Sequence, residues 1–284
     1  SYTIAIGSGA LMSTTADEVD GSVAIGYGAL KALNATSGGQ HASATIGIGM
    51  SAGAALNAGV GNVAIGHNAL ATETTGVNNT AIGYKVLTAL TNVTGMNTAV
   101  GSQAGLTLNT GYLNTVIGND AAKLLTSGVS NVVVGGRAFS AAALGESTNI
   151  AIGADSMRSV AEHSGGSSSA NGNISIGVDS MTGGALASGE NFDYNIAIGE
   201  NAMNSTGGEE QTGTIAIGYN ALTALTSGAG STAVGYQSGL ALTTGANNTA
   251  VGNTALLDIV DGIGNVAIGS QAMGGAYGSN AETS

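Results

Sequence analysis

A short pattern recurs along the whole chain: a β-branched residue, a small residue, a second β-branched residue, then glycine. Val63-Ala64-Ile65-Gly66 and Thr80-Ala81-Ile82-Gly83 are two copies. The glycines that anchor the copies are Gly7, Gly26, Gly49, Gly66, Gly83, Gly101, Gly118, Gly135, Gly153, Gly177, Gly199, Gly218, Gly235, Gly252 and Gly269. Most neighbouring anchors are 17 or 18 residues apart, and the longest intervals fall in 26–49 and 153–218. One unit repeated at such an interval is the mark of a stacked array. The pattern predicts an all-β solenoid, or β-roll, of about fifteen coils with a 17-residue period.

The columns of this alignment predict which face each residue takes. The residue before each anchor glycine is Ile or Val in all fifteen copies, and the residue two places earlier is Ile, Val or Thr. Side chains alternate across a strand, so these two share a face, and their branching suits a strand better than a helix. Together they are expected to form the buried core row. The residue between them points the other way and is Ala in eleven copies, with Gly47, Val116, Val133 and Ser175 as exceptions. A solvent face normally carries polar residues there. Small apolar ones predict close packing against the far wall of the coil or against a second chain.

Each motif begins with Asn in ten copies and with Ser or Thr in the rest. Short polar side chains hold turns by bonding to nearby backbone, and stacked in register they would form an asparagine ladder. The anchor glycine predicts a positive φ or a very close backbone approach at a corner. Leu90, Leu108, Leu125, Leu225, Leu242 and Ile259 lie seven residues after their anchors, and a second glycine often follows, as at Gly111 and Gly128. Each coil is therefore expected to read strand, corner, strand, corner. Seventeen residues cannot hold a helix pair, and each glycine costs a helix about 1 kcal/mol. At about 4.8 Å per coil the array would form a rod roughly 70 Å long. The chain 1–284 is expected to be a single continuous domain, with longer coils around 26–49 and 153–218.

Composition narrows the partners. There are 49 glycines, no proline and no cysteine, and charged residues make up 8%. Disordered chains combine low hydrophobicity with high charge, whereas 43% of this chain is hydrophobic. The net charge of −12 argues against nucleic acid, which needs a basic face. No apolar run reaches the roughly 20 residues of a membrane helix, so no membrane insertion is expected. Without cysteine there is neither a disulfide nor a thiolate metal site. Ser1 in place of methionine suggests a fragment or a processed chain.

The copies Asn79–Leu90 (NTAIGYKVLTAL), Thr214–Gly228 (TIAIGYNALTALTSG) and Ser231–Gly245 (STAVGYQSGLALTTG) resemble the repeats of phage and prophage tail fibres. The same motif resembles the related β-roll heads of trimeric autotransporter adhesins, and it runs through almost the whole chain. The resemblance implies a homotrimer, extracellular exposure on a virion tail fibre or a bacterial surface, and attachment to a cell-surface receptor or glycan. Two departures stand out. The adhesins' coiled-coil stalk and membrane anchor are not seen here, nor is the self-cleaving chaperone domain that often ends phage fibres. Either could have been removed.

Catalysis finds no support in the residues. His41, His67 and His163 are scattered, and His67 stands in the column that elsewhere carries Tyr27, Tyr84, Tyr219 and Tyr236. No catalytic residue, cofactor or metal is expected. Asp120, Arg137 and Asp155 share one column and are expected to form a surface ladder of charge; calcium binding would want aspartate in nearly every coil. The insertions at 33–43, 159–172, 182–194 and 204–213 are expected to loop outward, where loops carry function. Their His163, Glu190, Asp193, Tyr194, Glu209 and Glu210 are the candidate surface-binding residues. The expected function is a structural, adhesive fibre: a phage-type tail-fibre segment attaching to a host surface, or alternatively the head of a bacterial adhesin. An ice-binding solenoid would need a flat outward threonine array, while Thr80, Thr98, Thr115, Thr232 and Thr249 fall in the column expected to face inward.

Overall fold

The computed structural model describes residues 2–13, 19–33, 44–91, 94–160, 169–184, 186–206 and 209–274. Among these residues there is no helix, and the chain is a β-solenoid. It divides into two compact units, Ser1–Thr148 and Asn149–Ser284.

The first unit stacks eight three-residue strands: β1 (Ile4–Ile6), β2 (Val23–Ile25), β3 (Ile46–Ile48), β4 (Val63–Ile65), β5 (Thr80–Ile82), β6 (Thr98–Val100), β7 (Thr115–Ile117) and β8 (Val132–Val134). The second stacks seven: β9 (Ile150–Ile152), β10 (Ile174–Ile176), β12 (Ile196–Ile198), β14 (Ile215–Ile217), β15 (Thr232–Val234), β16 (Thr249–Val251) and β17 (Val266–Ile268). It also has two short strands in a separate row, β11 (Phe192–Asp193) and β13 (Gln211–Thr212). Neighbouring strands pair in parallel, with like columns opposite one another, as in Ala64↔Ala81 and Ala216↔Ala233. The array makes about 13 turns with a period near 18 residues, where fifteen coils of 17 were expected. The last strand of a stack closes no further turn, and the long coils lift the mean above the commonest spacing.

The faces are the reverse of those expected. Ala24, Ala64, Ala81 and Ala99 are fully buried, as are Ala197, Ala216 and Ala233. The β-branched residues on either side point outward and are half-buried or exposed. Steric room explains the inversion. A Cβ on Gly47, in the alanine column, would already lie 2.6 Å from Leu30 Cγ. The wall of a coil this narrow holds small side chains, alanine in most copies and nothing larger than Val116 and Val133, which are also buried. The larger core side chains come from the far side: Leu30, Leu70, Leu87 and Phe139 from one column, Leu56, Leu90, Leu108 and Leu125 from another, all fully buried. The alanines thus pack against the far wall of their own coil. The threonines expected to face inward share the outward row.

Two expected devices are present. A Cβ on Gly118 would sit 2.3 Å from the carbonyl oxygen of Gly135, and Gly118 has φ +140°, so the anchor column needs glycine for both conformation and space. The asparagines form a ladder: Asn114 Nδ2 donates to Asn97 Oδ1 at 3.1 Å and to Gly128 O at 2.7 Å, and Asn131 N donates to Asn114 Oδ1 at 3.0 Å. The buried asparagines of this row are paired with groups of the neighbouring coils, as buried polar groups in folded proteins generally are.

Among the described residues, the second strand expected in each regular coil does not form. After the anchor glycine, the residues two and four places on have positive φ, as Lys85 and Leu87 do at 52° and 47°. Alternating left-handed residues interrupt any extended run. The coils remain bonded on this side through single links such as Leu70 N to Val86 O at 2.9 Å.

Candidate functional site

The insertions of the second unit build wall as well as loop. β11 and β13 pair in parallel, Phe192 opposite Gln211 and Asp193 opposite Thr212. Ser169 bridges to Asn191 beside them. The sequence here supplies what the regular coils lack, an apolar anchor flanked by extended residues: Phe192 is buried at 2% exposure.

Asp193 is held inside this row. Its Oδ1 accepts from Asn171 N at 2.7 Å, and its Oδ2 lies 2.5 Å from Ser169 Oγ. Ser169 Oγ also reaches Asn191 Oδ1 at 2.9 Å. Both carboxylate oxygens are therefore occupied in joining one coil to the previous one. Tyr194 follows with φ +57° and is 69% exposed. Its ring fills the space where a Cβ on Gly172 would be, 2.7 Å from Tyr194 Cδ1. Glu190 N donates to Ala187 O at 3.2 Å, closing a turn before β11. Glu209 and Glu210 are exposed just before β13. The pairing register brings Glu190, Glu209, Glu210 and Tyr194 to one edge of the second unit, with Asp193 as their brace. His163, with Glu162, lies outside the described residues, as does the 34–43 part of the first insertion with His41.

Acidic charge is concentrated in the second half of the chain. Eleven of the seventeen acids but one of the five bases lie beyond residue 148. A field of that sign disfavours polyanionic ligands at this edge and suits neutral, hydroxyl-rich or cationic ones. Among the described residues, no three His, Cys, Asp or Glu side chains come close enough to hold a metal ion. The ion pairs formed by two of the ladder aspartates run within a coil. Lys123 Nζ lies 3.0 Å from Asp120 Oδ1, and Arg158 Nη1 lies 3.6 Å from Asp155 Oδ1. Both pairs span three residues, because the left-handed turn after the anchor glycine folds residue +5 back beside residue +2. Arg137 N donates to Asn119 O at 2.9 Å, so Arg137 does follow Asp120 in register along the stack.

A second surface feature lies in the tyrosine column that includes His67. The column after the anchor glycine carries aromatic rings that stack from coil to coil. His67 and Tyr84 lie 5.5 Å apart at 17°, and Tyr219 and Tyr236 lie 5.4 Å apart at 14°. Lys85 Nζ sits 5.3 Å from the Tyr84 ring centroid. Tyr27, Tyr84, Tyr219 and Tyr236 are all exposed. The recurrence of rings in one column was the available signal. Its meaning depended on knowing that the column faces solvent.

No protein-family model matches the chain, and no curated protein matches it.

Proposed function

We propose that this chain is a structural, adhesive segment of a homotrimeric extracellular fibre, of the phage tail-fibre kind, that attaches to a receptor or glycan on a host cell. One observation carries the reading. Each unit presents an outward sheet face of Ile, Val and Thr, one pair per coil, with Ile117 at 40%, Val132 at 37% and Ile176 at 37% exposure. A regular apolar face of this kind is an interaction surface, and further copies of the same repeat would cover it in register. Parallel strands ordinarily have both faces covered, and here the coil covers only one. The acidic edge around Tyr194 and the stacked rings would then remain outside as contact surfaces for carbohydrate hydroxyls. The head of a bacterial trimeric adhesin is the alternative, since the motif is shared by both kinds of repeat.

The test is the mass of the full chain in solution by light scattering or native mass spectrometry. Three chains per particle is the expected result, and a monomer at micromolar concentration would sink the reading. Attachment is tested by binding of the labelled trimer to bacterial cells, with and without prior removal of surface polysaccharide. Loss of binding after removal supports a glycan receptor.

A further inference from the structure

Three residues meet inside several regular coils: the leucine seven places after the anchor, the second glycine and the motif asparagine. A Cβ on Gly111 would lie 2.5 Å from Leu108 Cδ1 and 3.2 Å from Asn114 Nδ2. On Gly128 it would lie 2.8 Å from both Leu125 Cδ1 and Asn131 Nδ2. The meeting point is apolar on one side and closed by the asparagine ladder on the other.

The coil from Gly199 to Gly218 breaks this pattern at all three positions at once. Its residues there are Thr206, Gln211 and Thr214. They are 4%, 0% and 0% exposed. Each has a buried side-chain oxygen with no hydrogen-bond partner among the described residues: Thr206 Oγ1, Gln211 Oε1 and Thr214 Oγ1. Their contacts keep them on the same strip of the interior. Thr206 Oγ1 lies 3.1 Å from the Cβ position of Gly183, which also meets Val160 of the leucine column. Gln211 Nε2 donates to the carbonyl of Leu225, also in that column, at 3.4 Å. Thr214 continues the asparagine ladder by its backbone, its N donating to Asn195 Oδ1 at 2.9 Å. Hydroxyls at the Thr214 position elsewhere are satisfied: Thr45 Oγ1 donates to Gly59 O and Ser231 Oγ to Gly245 O.

We propose that this coil contains a binding site for an internal water molecule, held by Thr206, Gln211 and Thr214. Buried polar groups are paired in folded proteins, and an enclosed water needs two to four polar partners. The three oxygens fit that requirement in kind as well as number. A threonine hydroxyl donates to the water oxygen, and the water donates to Gln211 Oε1, which can only accept. An alkali cation fits less well. None of the three groups carries a negative charge, and an uncompensated ion inside the coil is costly. The site is independent of the assembly and function proposed above.

The test compares the full chain with the triple variant Thr206→Leu, Gln211→Gly, Thr214→Asn, which restores the regular set. Long-lived internal waters are counted by oxygen-17 magnetic relaxation dispersion. The expected result is at least one more such water in the parent than in the variant; equal counts overturn the proposal. Should the variant not fold, a high-resolution crystal structure of the parent decides. Density within hydrogen-bonding distance of at least two of the three oxygens supports the site, and direct pairing of the side chains with one another removes it. Melting temperature is also compared in sodium, potassium and choline chloride at equal ionic strength. No difference is expected, and a rise with one alkali cation alone would assign the site to that ion.

Discussion

At the scale of the residue, the repeat is governed by backbone conformation as much as by hydrophobicity. Four positions in each coil have positive φ: five before the anchor glycine, the anchor itself, and two and four after it. Only the anchor is always glycine. Elsewhere the chain places Asn78 and Asn247, but also Leu113 at φ +58° and Thr148 at φ +59°. A left-handed residue other than glycine costs about 1–2 kcal/mol, less for asparagine. Leu113 is 48% exposed. Leu113→Asn is therefore expected to raise stability by about 1 kcal/mol, read as a higher urea midpoint at unchanged slope. The ladder makes the opposite prediction. Asn114→Leu removes two donated and two accepted bonds among buried groups, and should cost about 3 kcal/mol. A midpoint within error of the parent would show that the ladder does not hold the coils together. Gly118→Ala adds a methyl 2.3 Å from Gly135 O at φ +140° and is expected to cost more than about 2 kcal/mol.

At the scale of the element, a three-residue strand is stable only because its neighbours repeat it. Each strand of the long stacks is bonded in register to the next, and the same alignment carries the glycine and asparagine columns. Where coils lengthen, register must be held by something else. In the second unit β11 and β13 do this, with Phe192 as the apolar anchor and Asp193 as the polar one. Asp193→Ala leaves Asn171 N without its acceptor, and is expected to destabilise by about 1–3 kcal/mol. Hydrogen exchange should show the loss of protection centred on residues 169–173 and 192–194, with the first unit unchanged. Uniform exchange across both units would contradict a local brace. Asp193, expected from the sequence as a surface-binding residue, also braces the coil through Ser169 and Asn171. A two-residue strand in an irregular coil leaves no periodic trace.

At the scale of the whole molecule, the inversion of the two faces matters most. The period-two pattern shows that Ile and Ala point in opposite directions, but not which direction is inside. Volume decides it. The interior between the strand wall and the far leucines accepts alanine and, with Leu30 drawn close, glycine at position 47. The isoleucines are therefore outside, where the proposed packing of copies would cover them. Substituting Ile176→Asp together with Ile198→Asp, both on the outward face, is expected to lower the particle mass to that of one chain while the far-UV circular dichroism is retained. Retained mass would mean that these residues face solvent in the assembly.

The sequence by itself determined the solenoid, the register of its strands, the glycine corners and the asparagine ladder, because each is a local or strictly periodic constraint visible in one column. It also located the irregular coils. Only the tertiary structure decided which face is the core, because that depends on the width of the closed coil and the side chains reaching in from its far wall. It alone showed that β11 and β13 form wall within an insertion, and that Thr206, Gln211 and Thr214 are buried with unpartnered oxygens. Those residues stand at unequal spacings, and it is the closure of the coil that buries all three.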